Sequence, residues 1–519
     1  MQREDPATGR FRTRLAPRHS SARWDPAVVG VVAFVVYALH GFHGVLNRDK
    51  GVFTYGGMHV AQGTPPYVDI FNSVGPLADA IPGSAIWLGN HVGADPVVSE
   101  RLFFTAISAL CCSLVYVLAR DTLGSRAAGL IASAVFLTFE DFSTLAAGGP
   151  SDKTAMVLFL LGCLILLGRR RWALAGVCAA LGTLTWQPVL AVTLGALAAA
   201  ALVERQDPRL RVLTRFTIGG FVPSLATVCY FVGAGALSQA IQGFVVVNVE
   251  YAQQPSALTQ PNAIATKMWG AYHWTFPLAV AGLVALFVLG ARAVLALRRR
   301  TASPLTRRLV ICTAGAVVGT AWTLVVVNGG PDLFVVLPFA ALGLAESARL
   351  LAGRLRDRAA RAGIVVVVSL GVIVAGVHSV TTRDDGYLFQ RADVEAVLRT
   401  QPPDALVVSL SAPQVLALSG RDSPVPYQIM SDTQQRYLDA TYPGGMRGFL
   451  EHVLVGLQPT FVVVGESFRS RWPTSQLDSD YWRVGIGSHW TWYLNKAAGR
   501  AALLRARNAH ARVMAAYDS

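Results

Sequence analysis

Long apolar runs separated by short polar segments dominate this chain. As a helix, about 20 apolar residues cross the roughly 30 Å hydrocarbon core of a bilayer. The pattern therefore predicts a mainly α, polytopic α-helical membrane protein. Predicted spans lie at 27–46, 102–119, 127–145, 154–168, 213–234, 274–297, 309–327, 332–348 and 362–380.

One further apolar run, 172–203, is too long for a single simple span and is interrupted by Trp186-Gln187-Pro188. Arginines flank it on both sides, at 169–171 and at 205–215. Since Lys and Arg stay on the cytoplasmic side, the run is expected to enter and return as a hairpin of two short helices. Counting it twice gives about eleven spans, with the N-terminus cytoplasmic and the C-terminal region extracytoplasmic.

Composition and charge support this class of protein. The 519 residues are 53% hydrophobic and 15% charged, with mean hydropathy +0.44, which excludes an ordinary soluble protein. Arginine explains the net charge of +14, because most of it falls in predicted cytoplasmic loops. We therefore expect a multi-pass cell-membrane protein in contact with the lipid bilayer and no nucleic acid partner. Predicted outer membrane loops hold only Arg48, Lys50, Arg101, Lys153 and Lys267.

A change in composition near residue 382 predicts a second domain. The β-rich runs 405–410 and 461–465 each follow a helical pattern, at 391–400 and 446–457, which favours a small extracytoplasmic α/β domain. The predicted organisation is a cytoplasmic Arg-rich N-terminus at 1–26, a transmembrane domain at 27–381 with a first outer loop at 47–98, the α/β domain at 382–495, and a helical tail at 496–519.

The first outer loop is the leading candidate for a functional site. It begins Asn47-Arg48-Asp49-Lys50-Gly51 and continues into a predicted interfacial helix, Val52 to Gln62, that Gly63 and Pro65-Pro66 end. Charged residues at the mouth of a membrane helix are costly unless they line water or a ligand. The second outer loop adds Glu140 and Asp141.

The loop motif carries a family resemblance. An acidic residue soon after the first span is followed by Gly51-Val52-Phe53, Tyr55, a short helix, a Gly-x-x-Pro-Tyr-x-Asp turn and Gly75-Pro76. This order resembles the GT-C integral-membrane glycosyltransferases, and most of all the bacterial branch related to protein O-mannosyltransferases and lipid A sugar transferases. The resemblance is close in the first outer loop and loose elsewhere.

The resemblance implies an activity. Its family moves a sugar from a polyprenyl-phosphate donor to an acceptor on the outer face of the membrane, with inversion, and an acidic residue of the first outer loop acts as base. That position corresponds to Asp49. The cell-envelope acceptor, whether glycan, lipid or protein, stays open, and so does the sugar, with mannose and arabinose both compatible.

The same resemblance implies roles for further residues. Arg48, Lys50 and Lys267 are expected to bind the donor phosphate, and Tyr55, His59, Tyr67 and Asp69 to belong to the substrate loop. Many relatives carry a second acid where this chain has Lys50. Glu140 or Asp141 is therefore the candidate second acid. No cofactor is implied with certainty, and no motif supports a divalent metal.

Two other classes stay open from the sequence. A transporter or flippase of lipid-linked sugars would also need many spans, but related halves are not visible. A non-catalytic envelope assembly protein would leave the acidic first loop unexplained. Individual residues have simpler explanations too: Asp49 as a helix-end acid paired with Arg48 or Lys50, and Lys267 as a lysine reaching the lipid headgroups.

Overall fold

The structure is a computed structural model that describes residues 23–251, 256–299, 303–352, 357–466, 468 and 475–518. Most of the predicted cytoplasmic N-terminus, 1–26, lies outside the described residues. Helices account for every element before residue 407. They are α1 (Asp25–Ala38), α2 (Arg48–Ala61), α3 (Leu77–Asn90), α4 (Pro96–Leu123), α5 (Arg126–Leu137), α6 (Glu140–Ala146), α7 (Asp152–Gly168), α8 (Trp172–Thr183), α9 (Val189–Val203), α10 (Arg209–Gly233), α11 (Leu237–Ile241), α12 (Pro261–Tyr272), α13 (Thr275–Arg298), α14 (Pro304–Val325), α15 (Leu337–Ala352), α16 (Asp357–Thr381) and α17 (Gly386–Leu398), with a π-helix at Gln242–Tyr251 and a 3₁₀ helix at Gly330–Val335.

These helices give a multi-pass membrane protein. Five of the described helices are long and apolar enough to cross a bilayer, or six if α5 and α6, which meet at 76°, form one broken span. Three more apolar helices, α1, α8 and α9, are shorter. The number eleven stays a prediction, because several predicted spans correspond to helices below the usual spanning length.

The ambiguous run 172–203 forms two helices, α8 and α9, separated by five residues that contain Trp186-Gln187-Pro188. The first outer loop holds this break in place. Leu77 N–H donates to the Leu184 carbonyl at 3.0 Å, and Gly75 N–H donates to Thr185 at 3.2 Å. Gly75 is required here, since a Cβ would lie 1.9 Å from the Leu184 oxygen.

The first outer loop is itself built of two helices, α2 and α3, which pack against each other. Helix α2 begins four residues earlier than the predicted Val52, because the Asn47 side chain caps it by accepting the Lys50 N–H at 2.9 Å. The candidate site motif at residues 48–50 is therefore the first turn of a helix and not an extended loop.

The C-terminal region contains a four-stranded sheet with the order β1-β2-β4-β3. Strands β1 and β2 are parallel and match the predicted runs, whereas β2–β4 and β3–β4 are antiparallel and were not predicted. Helix α22 packs on α17 and β3, so the predicted tail is part of this fold. The elements are β1 (Val407–Leu410), α18 (Pro413–Ser419), α19 (Asp432–Thr441), α20 (Gly445–Glu451), a π-helix (His452–Gly456), β2 (Phe461–Gly465), α21 (Ser475–Asp480), β3 (Tyr481–Ile486), β4 (Trp490–Asn495), a 3₁₀ turn (Lys496–Ala498) and α22 (Arg500–Asp518).

The first outer loop and the C-terminal region share one hydrophobic core. Val52 and Phe53 of α2 are buried in the same cluster as Leu416 of α18 and Trp492 of β4. Polar contacts reinforce it: the Gln390 amide both accepts the Leu46 N–H at 2.8 Å and donates to the Leu46 carbonyl at 3.1 Å. The start of α2 is thus fixed from the C-terminal side.

Gly51 sets how closely α2 and α18 approach. A Cβ on Gly51 would lie 2.7 to 2.8 Å from the backbone of Gln414. We expect Gly51→Ala to lower the Tm in detergent, by overpacking that typically costs about 1–3 kcal/mol. Gly270→Ala is the control, because its Cβ would meet nothing within 4 Å. An equal Tm for both variants would contradict this tight contact.

Candidate active site

Asp49 lies in the first turn of α2 with its carboxylate turned to open space. The side chain is 66% exposed, and Oδ1 accepts from Arg48 Nε at 2.9 Å and lies 2.8 Å from Arg48 Nη2. A carboxylate at a helix N-terminus also gains from the helix dipole. The result is an ionisable group that is accessible but firmly oriented.

A cavity of about 250 Å³, which we call the inner cavity, opens between α2 and the membrane helices. It brings the start of α2 together with the second outer loop and with the segment before α3. Its lining residues are Asn47, Arg48, Asp49, Lys50, Val52, Phe53, Asn72, Ser73, Val74, Leu145, Pro150, Ser151, Asp152, Lys153, Pro331, Ile429, Ser431 and Gln434.

The inner cavity is rich in cations. Lys153 lies 3.2 Å from the Asp332 carboxylate, and its side chain is only 21% exposed. Lys50 points towards Gly148, where a Cβ would meet its Nζ. Burial of the ammonium and the neighbouring Arg101 guanidinium lower the pKa of Lys50 to about 8. Together with Arg48, these groups form a surface suited to an anion.

A second cavity of about 250 Å³, which we call the outer cavity, lies between Asp49 and the C-terminal region. Asn47, Arg48 and Asp49 line both cavities, so the first turn of α2 forms the wall between them. The remaining residues of the outer cavity follow the ends of β1 and β2 or come from α18 and the β3–β4 turn. They are Ser411, Gln414, Glu466 and His489.

An apolar groove of about 530 Å³ runs along α8, α9 and α10 to the π-helix that follows α11. Leu190, Phe216 and Phe231 are among its lining residues. Ser73 lines the inner cavity, and its carbonyl accepts from Gln187 Nε2 at 3.0 Å and from Asn248 Nδ2 at 2.6 Å. The same two amides donate to the carbonyl of Phe244, which lines the groove, at 3.4 Å and 3.2 Å. The groove therefore ends next to the inner cavity.

The structure does not bring every predicted residue to Asp49. Lys267 donates to the Asn328 carbonyl and lines neither cavity. Glu140 Oε2 lies 2.6 Å from His273 Nδ1, and Glu140 lines neither cavity. Asp141 lines neither cavity, and its carboxylate occupies the space that a Cβ on Gly330 would fill. The placement of these three residues thus differs from the sequence prediction.

The four predicted substrate-loop residues serve other contacts. Tyr55 accepts the Ser423 N–H at 2.8 Å, and His59 lies 3.3 Å from Asp69 and 3.6 Å from Asp422. Tyr67, which has φ +71°, donates to the Val74 carbonyl at 2.6 Å and lines the apolar groove. Tyr55, His59 and Asp69 therefore join the outer loop to the C-terminal region.

The sequence prediction placed Lys153 in an outer loop but named neither Asp152 nor Lys153 as a site residue. Both line the inner cavity, and Asp152 Oδ2 has no hydrogen-bond partner among the described residues. The available signal was their position at the start of α7, directly after Pro150 and Ser151. Within the described part of the chain, no group of three or more His, Cys, Asp or Glu side chains is arranged to hold a metal ion.

Comparisons with known proteins support this architecture. No family model matches the chain. ArnT from Cupriavidus metallidurans, solved with undecaprenyl phosphate bound, aligns over 92% of this chain and 98% of its own with a TM-score of 0.60 at 12% identity. AglB from Archaeoglobus fulgidus, an oligosaccharyltransferase solved with an inhibitory peptide and a dolichol-phosphate, aligns over 91% and 74% with a TM-score of 0.52 at 13% identity. The fold is that of GT-C glycosyltransferases.

A sequence relative agrees with this GT-C fold. The dolichol phosphate-mannose mannosyltransferase of Haloferax volcanii is 26% identical over 162 residues, which are 31% of this chain. The match spans about a third of that relative's length, 35%. The expected resemblance to GT-C proteins is thereby confirmed at the level of the fold.

A buried acid in the first outer loop has a raised pKa that can be tested. Asp79 of α3 is 1% exposed, and Asn72 Nδ2 donates to it at 3.3 Å. Burial raises its pKa to about 7. Because the folded state holds the proton more tightly, the carboxyl stabilises folding fully below pH ~4, and this contribution is lost as the pH rises through 7.

Asp79→Asn removes this titration. We expect the Tm of the variant relative to wild type, measured in detergent, to be higher at pH 8 than at pH 5. Asp404→Asn, at an exposed position of the C-terminal region, should show no such difference. A pH-independent difference for Asp79→Asn would contradict the raised pKa.

Proposed function

We propose that this protein is a glycosyltransferase that transfers a sugar from a polyprenyl-phosphate donor to an acceptor of the cell envelope. Transfer takes place on the outer face of the membrane and inverts the configuration at the anomeric carbon. Asp49 is the base. The N-terminus is then cytoplasmic, and the C-terminal region that packs on α2 is extracytoplasmic, as the distribution of arginine predicts.

One observation carries the proposal: Asp49 stands between two cavities, and the cationic one adjoins an apolar groove. A polyprenyl-phosphate sugar has an apolar tail, an anionic phosphate and a sugar, in that order. The groove suits the tail, and Arg48 and Lys153 suit the phosphate. The sugar would then lie beside Asp49, with the outer cavity left for the acceptor.

The related structures support the same donor class. ArnT was solved with undecaprenyl phosphate and AglB with a dolichol-phosphate, and both compounds are polyprenyl-type phosphates. The Haloferax relative is named for dolichol phosphate-mannose. Three proteins that share the fold or part of the sequence thus point to one kind of lipid carrier.

The proposed chemistry is a single displacement. Asp49 accepts the proton of an acceptor hydroxyl while that oxygen forms a bond to the anomeric carbon. The bond between this carbon and the phosphate oxygen breaks, and its electron pair leaves with the polyprenyl phosphate. Arg48 and Lys153 stabilise the charge that develops there. The products are the glycoside and the polyprenyl phosphate.

Replacing the base tests this assignment. Asp49→Asn keeps the shape of the side chain but cannot accept the proton, so we expect transfer of labelled sugar from a polyprenyl-phosphate donor to fall by about 10²–10⁴-fold. Purified protein in detergent or liposomes is assayed for both transfer and donor consumption.

Asp404→Asn, at an exposed position outside both cavities, is the matched control and should keep wild-type transfer. Full activity of Asp49→Asn with an unchanged Tm would refute the base assignment. Movement of intact donor across a bilayer without cleavage would instead favour a flippase.

The effects of replacing Lys153 and Lys267 on the donor KM test which lysine binds the phosphate. If Lys153 contacts the donor phosphate, Lys153→Gln should raise the donor KM by about 10-fold or more, as loss of a charge-assisted contact predicts. Lys153→Arg should recover part of the loss. A larger effect from Lys267→Gln than from Lys153→Gln would show that the phosphate lies elsewhere.

A further inference from the structure

The outer cavity has a position that favours ligand binding. Ser411 directly follows β1 and Glu466 directly follows β2, and these two strands are parallel neighbours. In α/β sheets, ligands bind in the crevice beyond the carboxyl ends of parallel strands. Asp49 closes the opposite side of this crevice. The C-terminal sheet thus presents a crevice directly to the proposed base.

The backbone around this crevice is tightly constrained. Ser411 has φ +64°, in the left-handed region that non-glycine residues rarely adopt. Its carbonyl oxygen would lie 2.0 Å from a Cβ on Gly465, so only glycine fits at the end of β2. Ser411 Oγ in turn accepts the Met430 N–H at 2.9 Å. Strain of this kind often marks a functional site.

A buried amide in the cavity lacks a partner. Gln414 lines the cavity and is 1% exposed, and its Oε1 has no hydrogen-bond partner among the residues that the structure describes. A buried acceptor that is left unpaired destabilises the folded protein. A ligand hydroxyl would supply the missing donor.

The remaining groups select the kind of ligand. Among the described residues that line the outer cavity, Arg48 lies 2.8 Å from the Asp49 carboxylate, and His489 Nδ1 lies 3.4 Å from Glu466. An anionic ligand would meet the carboxylates of Asp49 and Glu466 in the outer cavity, whereas the inner cavity also presents Lys50. Asn47, Ser411 and Gln414 offer both donors and acceptors, which suits a neutral polyol.

The sheet does not favour an extended peptide. Peptides commonly bind by adding a strand to an exposed sheet edge. The edge strand next to the cavity is β1, and all four of its residues are buried. A cavity of about 250 Å³ lies below the usual size of drug-sized sites, about 300–1,000 Å³, so it suits one small ring better than a chain.

We propose that the outer cavity is the acceptor site, and that the acceptor is an uncharged sugar hydroxyl of a glycan or glycolipid. Gln414 and Glu466 bind hydroxyls of this sugar and present one of them to Asp49. The inference rests on the proposed transferase function and narrows its acceptor from glycan, lipid or protein to a neutral sugar.

Acceptor choice gives the first test. Purified full-length protein is given labelled polyprenyl-phosphate sugar and one of three probes: octyl mannoside, octyl mannoside 6-phosphate, or a Ser/Thr peptide. We expect transfer to octyl mannoside, with a kcat/KM at least about 10-fold lower for the phosphorylated glycoside. A preference for the phosphorylated glycoside or for the peptide would overturn the proposal.

Side-chain variants give the second test. Gln414→Ala and Glu466→Gln should each raise the KM for octyl mannoside by about 10-fold. Gln401→Ala and Glu451→Gln, in the same region but outside the cavity, are the matched controls. Glu466, 58% exposed, keeps the test valid if Gln414→Ala fails to fold.

The outcomes separate the two proposals. If wild type consumes donor in an Asp49-dependent way but the variants leave the acceptor KM unchanged, the acceptor site is wrong and the transferase function stands. The same holds if octyl mannoside is not glycosylated while donor is hydrolysed. If wild type consumes no polyprenyl-phosphate sugar under any condition, both proposals fall together.

Discussion

The close approach of α2 and α18 is the constraint on which the rest of this structure depends. Because Gly51 has no side chain, the backbone of Gln414 reaches α2 directly, and Val52 and Phe53 enter the same core as the C-terminal sheet. The first turn of α2 is then held between a membrane helix bundle on one side and a sheet on the other. A single turn of helix becomes a wall with a cavity on each face.

Much of this arrangement was predictable from local patterns. The apolar runs, the two helices of 172–203 and strands β1 and β2 follow from hydrophobic periodicity and charge. What was missed depends on tertiary contacts. Strands β3 and β4 are rich in aromatic residues, and only the pairing of β4 with β2 and of β3 with β4 identifies them.

The candidate site also depends on tertiary contacts that local sequence patterns do not predict. Asp49 was found because its neighbours form a motif, whereas Lys267 and Lys153 are both scarce outer-loop lysines that the sequence cannot rank. Which of them faces Asp49 depends on how α7 and α12 pack. The same holds for Asp152 against Glu140 and Asp141, because all three follow short turns and only the fold decides which carboxylate enters the cavity.

The shared core between the first outer loop and the C-terminal region has a consequence for protein engineering. Leu46 lies 344 residues before Gln390 in the chain, yet its backbone N–H donates to the Gln390 side chain. Leu46 is also buried in one hydrophobic cluster with Trp492 of the sheet. A chimaera that exchanges the C-terminal region alone would pair a foreign sheet with the native α2. Exchange of acceptor preference between two such proteins therefore requires residues 46–62 to move together with the sheet.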